Sequence, residues 1–272
     1  MSEEADAPGL FELGGSFFLI AGPCVLEDRE LNLHIARHVR KVGERLGIPV
    51  VFKASFDKAN RTKLGSDRGP GLERGLDMLR EIRAREGVPV LTDIHEAAQA
   101  EEAALGVDAL QIPAFLCRQT DLLLAAAATG LPVNVKKGQW VAPAEMRHAV
   151  AKLRAGGATR VAVTERGSAF GYGRWVVDMR SFAIMRQACG CPTIFDATHA
   201  VQLPGAGAGG SRAEPRFIEP LARAAVAAGA DGLFAEVHPD PPAAPCDGAS
   251  MLRLERLEPL LAGLLEIRRA LA

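Results

Sequence analysis

Eight short apolar runs, each separated from the next by a longer stretch, restrict this chain's fold more than any other feature. They are Phe17–Ala21, Val50–Lys53, Val90–Asp93, Ala109–Ile112, Val133–Lys136, Arg160–Thr164, Thr193–Asp196 and Gly232–Glu236. Most are apolar on both faces, as parallel strands buried under helices are. Between them lie segments rich in Ala, Leu, Arg and Glu: Leu31–Leu46, Leu72–Arg85, Glu96–Leu105, Asp121–Thr129, Ala144–Ala155, Glu214–Ala228 and Leu252–Ala270. Gly47-Ile48-Pro49, Gly87-Val88-Pro89 and Gly130-Leu131-Pro132 stop three of them, as helix C-caps feeding the next strand do. Eight such units in a row predict an α/β fold of one closed (β/α)8 barrel, the TIM-barrel architecture. An open doubly wound sheet is the alternative, but no G-x-G-x-x-G follows the first run.

The 272 residues suit one barrel, for which ~250 is usual. No linker or shift in composition divides them, so one catalytic domain over 1–272 is expected, with 1–14 as an N-terminal leader. The first ten residues read as frayed and acidic. A net charge of −1 lacks the basic excess of a nucleic-acid or anionic-membrane binder, and Trp140, Tyr172 and Trp175 are too few for a base-stacking platform. Phe17–Ala21 is far too short to span a bilayer. Five scattered cysteines and no secretory n-region point to reduced thiols and the cytoplasm. Two connections are long, Phe56–Gly71 and Ala197–Arg212. The second carries the glycine-rich run from Pro204 to Gly210, and loops of this length are usually functional or act as lids.

In such barrels chemistry sits at the C-terminal ends of the strands, and the residues found there sort by role. Lys53 ends the second run, Asp93 and His95 the third, and Gln111 the fourth. Asn134, Lys136 and Lys137 end the fifth; Glu165 and Arg166 follow the sixth. Asp196 and His199 follow the seventh, Glu236 and His238 the eighth, and Cys24 the first.

One subset is cationic: Lys53, Lys58, Arg61, Lys136 and Arg166, with Lys63, Arg68 and Lys137 nearby. Such charges repel unless an anion sits among them, so phosphate or carboxylate ligands are expected. A solvated surface charge is the competing account, weaker for Lys53 and Lys136 because they terminate apolar strands. The second subset is Cys24, His199, Glu236 and Asp247. Strands one and eight are neighbours in a closed barrel, so these groups can meet, and mixed S/N/O donors suit Zn²⁺, Fe²⁺ or Mn²⁺. A buried free cysteine beside a hydrogen-bonded histidine stays open as the other reading. Cys117, Cys189 and Cys191 read as small packing residues.

At the strand-end loops the chain resembles a known family. The segments AGPCVLED (21–28), FKASFDKANRT (52–62), RGPGLE (68–73), TDIHE (92–96), QIPAFLCRQTDLL (111–123), VNVKKGQ (133–139), TERGSAFGYG (164–173), FDATHAVQLPG (195–205) and FAEVHPDP (234–241) are similar to 3-deoxy-D-manno-octulosonate 8-phosphate synthases. The likeness runs from about residue 16 to 260 and touches all eight loops.

That resemblance implies condensation of phosphoenolpyruvate with arabinose 5-phosphate and water, on the route to a lipopolysaccharide sugar. It also implies a homotetramer. A related synthase uses erythrose 4-phosphate and typically reads KPRT where this chain has Lys58-Ala59-Asn60-Arg61; the Asn-Arg form goes with the five-carbon aldose. A non-catalytic phosphosugar-binding barrel is the reading from another class. By position, Lys136 and Arg166 are expected on the phosphoenolpyruvate phosphate and Lys53 and Lys58 near its carboxylate. Gln111 and Ala114 line that pocket, and Asn60 and Arg61 hold the aldose phosphate. Cys24, His199, Glu236 and Asp247 match the family's metal ligands, with Lys136, His199 and Asp247 as catalytic groups. One branch of the family has Asn in place of this Cys and uses no metal. Cys24 places the chain in the metal-dependent branch, although Cys246-Asp247-Gly248 resembles the other.

Overall fold

The eight runs form strands β1 (Phe18–Gly22), β2 (Val50–Lys53), β3 (Val90–Asp93), β4 (Ala109–Ile112), β5 (Val133–Lys136), β6 (Val161–Glu165), β7 (Thr193–Asp196) and β8 (Gly232–His238) in the computed structural model. It describes residues 10–12, 14–61, 63–205 and 212–271. Each strand pairs in parallel with the next, and β8 pairs with β1, so the sheet closes. The expected (β/α)8 barrel is therefore the observed one.

Among the described residues eight α-helices cover the outside: α1 (Arg29–Leu46), α2 (Leu72–Glu86), α3 (Gln99–Ala104), α4 (Thr120–Ala128), α5 (Met146–Ala155), α6 (Arg180–Cys189), α7 (Ile218–Ala227) and α8 (Leu257–Leu271). Asp28 caps α1, its carboxylate accepting from the Leu31 N–H at 3.0 Å. Gly47 and Gly87 end α1 and α2 in the left-handed region, where a glycine lacks the Cβ penalty. The sequence reading did not name α6. Its segment RSFAIMRQAC is short and has none of the Ala/Leu/Glu density of its neighbours, yet Phe182, Met185 and Cys189 bury one face. The stretch read as 214–228 opens on a 3-10 turn, whereas in 252–270 Leu252–Arg253 first adds a short parallel strand to the end of β8, ahead of a 3-10 turn.

The barrel interior is layered by the two-residue period of a strand. Val51, Leu91, Ala109, Ile194 and Phe234 belong to an apolar layer in the lower lumen. Two residues further along the same strands stand Lys53, Asp93, Gln111, Asp196 and Glu236, all buried and all polar. The site is thus the top layer of the barrel's own filling. Below, Leu10 and Phe11 are 5% and 3% exposed and pack with Phe18 and Ile20 across the lower opening. The end of the expected leader is therefore a plug; residues 1–9 and 13 lie outside the described residues.

Two short antiparallel pairs, Ser168–Ala169 with Trp175–Val176 and Gln202–Leu203 with Arg212–Ala213, order the rim of the mouth. Residues 206–211, within the glycine-rich connection, also lie outside the described residues. Among the described residues, no helix is long and apolar enough to cross a membrane.

Candidate active site

A cavity of about 720 Å³ opens at the C-terminal ends of the strands. Lys53, Lys58, Asn60, Arg61, Gln111, Ala114, Lys136, Arg166, His199, Glu236 and Asp247 all line it. Cys24 lies beneath, fully buried, two residues beyond Gly22, which pairs with Glu236 across the closing seam.

The floor cations are not loose charges. Lys136 donates to Asp196 Oδ2 at 2.5 Å and sits 3.4 Å from the centroid of the Phe234 ring. Lys53 donates to Ser55 Oγ at 2.8 Å and pairs with Asp93 Oδ1 at 3.3 Å. Burial pushes the Asp93 carboxyl up, but Lys53, His95 and Lys58 outweigh it and hold the group well below the usual carboxylate range. Burial likewise lowers the Lys136 and Arg166 cations from their ordinary values, opposed in each by Asp196. Arg166 donates to Gln202 Oε1 at 3.2 Å and faces the Trp175 ring, while its buried Nη1 has no hydrogen-bond partner among the described residues. An unpartnered guanidinium nitrogen in a cavity is a donor pre-set for an anion.

The mouth is less one-sided than the sequence implies. Lys53, Lys58, Arg61, Lys63, Lys136 and Arg166 are six cations in the lining, set against four anions, Asp93, Glu96, Glu236 and Asp247. Glu236, Asp247 and His199 group on one side, next to Cys24 and Cys246.

On that side Cys24 Sγ donates to Asp247 Oδ2 at 3.2 Å, and His199 Nε2 lies 3.7 Å from Glu236 Oε1. His199 Nδ1 faces Asp196 Oδ2 at 2.8 Å, and the backbone N–H groups of Thr198 and His199 donate to Asp196 Oδ1. A carboxylate on Nδ1 directs the Nε2 lone pair towards Glu236 and Asp247, the arrangement a ligating histidine uses. Asp196, a strand-end residue to which the sequence assigned no role, thus orients both Lys136 and His199. Glu236 is 1% exposed, and among the described residues neither carboxylate oxygen has a hydrogen-bond partner. A buried carboxylate so left is costly unless a cation meets it. Asp247 adopts φ 50, a left-handed turn rare outside glycine, and Ser250 locks it by donating N–H and Oγ–H to its carbonyl.

Lys137, Arg68 and His238 are among the residues singled out that do not line the cavity. Lys137 is fully buried and donates to the Gly138 and Gly167 carbonyls and to Ser168 Oγ, with Glu165 Oε1 at 3.4 Å. Arg68 is bound bidentately by Asp57 at the surface. His238 accepts from the Asp240 N–H and points its other nitrogen at Glu27, 3.4 Å away. Conversely Ser55, Gln202 and Cys246 reach the site without having been singled out, because only loop folding brings them in.

A family model described as the DAHP synthetase I family matches residues 12–271. The chain belongs to the DAHP synthetase I family. Within it, the chain is 57% identical over 263 residues to a Koribacter versatilis protein, covering 95% of this chain and 94% of that one. A Syntrophotalea carbinolica relative is 56% identical over 249 residues, 92% and 90% of the two chains. One from Desulfotalea psychrophila is 54% identical over 257 residues, 94% and 91%. Each of the three carries the name 2-dehydro-3-deoxyphosphooctonate aldolase. The loop segments that carry the resemblance all lie within the matched residues.

Proposed function

We propose that this protein is an enzyme that condenses phosphoenolpyruvate with arabinose 5-phosphate and water to 3-deoxy-D-manno-octulosonate 8-phosphate and inorganic phosphate. The observation that carries the reading is a cavity that joins a buried floor of Lys53, Lys136 and Arg166 to a rim of Asn60 and Arg61. That is room and charge for two phosphorylated anions, in a chain that shares over half its residues with relatives named for this product.

Lys136 and Arg166 hold the phosphoenolpyruvate phosphate, and Lys53 and Lys58 face its carboxylate beside Gln111 and Ala114. Burial disfavours charge on Lys58, but Cys24, Glu236 and Asp93 raise its ammonium well above the ordinary lysine value. Asn60 and Arg61 hold the aldose phosphate, and Arg61 is anchored by donating to the Pro245 carbonyl at 3.0 Å. Fixing both substrates removes the entropy of a bimolecular encounter and screens their mutual repulsion. The third carbon of phosphoenolpyruvate then bonds to the aldehyde carbon, water adds to the second carbon, and the phosphate leaves with C–O cleavage. His199 and Asp247 are the groups placed to move protons.

The donor set fits a divalent ion. Cys24, His199, Glu236 and Asp247 would hold Zn²⁺, Fe²⁺ or Mn²⁺, and the unpartnered Glu236 oxygens are the observation that supports it. Burial, the Cys246 thiol and Glu236 push the Cys24 thiol well above its ordinary value, a bias that a bound cation inverts. Such an ion supplies Lewis-acid polarisation of a substrate oxygen. The same reading takes the enzyme as a cytoplasmic homotetramer, to be checked by light scattering of the purified protein.

Phosphate release from phosphoenolpyruvate is expected with arabinose 5-phosphate and not with erythrose 4-phosphate. Release with erythrose 4-phosphate alone would make it the related seven-carbon synthase, and release with neither would leave a phosphosugar-binding barrel. Cys24→Asn should lose the bound metal; full metal content in that variant would remove Cys24 from the ligand set.

A further inference from the structure

Cys246 has no assigned role, yet it stands inside the donor cluster. One ligand atom from each of Cys24, Cys246 and Asp247 lies within 4.8 Å of the others, and the same holds for His199, Glu236 and Asp247. Asp247 belongs to both groups and is the donor they share. Two donors on one ion, at ~2.3 Å for Zn–S and ~2.1 Å for Zn–N or Zn–O, can be no further apart than about this. Cys246 is 5% exposed and lines the cavity wall, while Cys24 is fully buried behind it.

The backbone keeps Cys246 there. Arg61 donates to the carbonyl of the preceding Pro245, and the following Asp247 is locked in its left-handed turn. At Gly248 an added Cβ would lie 2.2 Å from the Pro241 carbonyl oxygen, so the loop is packed closely onto itself. The thiol pair therefore does not arise from a loose segment. A second, independent observation points to a cation rather than to two thiols merely packed together: the Glu236 carboxylate is buried with both oxygens unpartnered beside them.

We propose that Cys246 is a second thiolate ligand, so that the divalent ion is held through two sulfurs rather than one. This rests on the metal-dependent reading above and deepens it. Each thiol gives its proton to solvent as its Sγ bonds to the ion, so binding releases two thiol protons. Two soft donors also rank the three metals left open: Zn²⁺ and Fe²⁺ are favoured over the harder Mn²⁺.

The test loads the purified full-length chain with Co²⁺ and reads the near-ultraviolet thiolate-to-cobalt band. Wild type should show a band that falls by about half in Cys246→Ser and is absent once Cys24 is replaced as well. A Cys246→Ser protein with the full wild-type band overturns the proposal while leaving the metal site standing. A wild-type protein with no band overturns the metal reading itself. X-ray absorption of the zinc-loaded wild type needs no variant and so survives a folding failure. Two sulfurs at ~2.3 Å support the proposal, one overturns it, and none overturns the site.

Discussion

Lys136 and Lys137 are adjacent and chemically identical, and their fates differ because successive residues of a strand point to opposite sides. Lys136 faces the lumen over Phe234, whereas Lys137 is turned under the loop that follows β6, against Glu165 and the Gly167 carbonyl. Lys136→Ala should remove a charge-assisted contact worth about 1.5–3 kcal/mol, lowering kcat/KM for phosphoenolpyruvate roughly ten- to hundredfold in steady-state assays. Lys137→Met should leave the buried Glu165 without its cation, held only by the Gly167 N–H at 2.6 Å, at about 3 kcal/mol, and show as a lower urea midpoint. Arg166 follows Glu165 directly, so the same variant should also raise KM for phosphoenolpyruvate. Asp93 makes a pH prediction with a definite sign. Its folded pKa is depressed, so its stabilising share is complete above the unfolded value of ~3.9 and is lost as pH falls towards the folded one. The stability gap between wild type and Asp93→Asn should therefore be constant from pH 7 to about 5 and narrow below about 4, as read by denaturant titration at each pH.

Among the elements, the β1–β8 seam does most to build the site. Register pairs Gly22 with Glu236, which lays Cys24 beside the ligands carried by β8 and the loop after it. Glycine is required at 22: an added Cβ would lie 2.1 Å from the Lys53 carbonyl oxygen. Gly22→Ala must force β1 from β2 just below the cavity. It should cost about 1–3 kcal/mol of stability, seen as a lower Tm, together with a loss of bound metal. The strands were legible because burial on both faces leaves unbroken apolar runs, whereas α6 was hidden by a short, mixed segment that only its packing makes helical. The two rim hairpins were equally illegible. Their strands are two residues long, below the length at which a period of two can be seen.

For the whole molecule, the barrel needs filling at both ends, and the two ends are filled differently. Substrate-binding polar groups occupy the top layer, while Leu10 and Phe11 close the bottom. Leu10→Ala should lower the Tm, with a cost of about 2 kcal/mol at the low end of the buried-leucine range, because a short plug can relax. It lies at the opposite end from the cavity, so kcat should not change. A kcat that fell with the Tm would mean that the two ends are coupled through the lumen.

Chain order and hydrophobic period by themselves determined eight parallel strands, all their helices but α6, and hence which residues stand at the strand ends. Those are local properties, written in runs of four to five residues. The loop segments further named the family. Only closure of the barrel decided which strand-end groups meet. It joined Cys24 to Asp247 across 223 residues, turned Lys137 away from the cavity that holds Lys136, and paired most floor lysines with acids that charge counting had left out. It also drew Cys246 into the donor set, because a left-handed turn at Asp247 is a property of the folded loop and leaves no mark in composition.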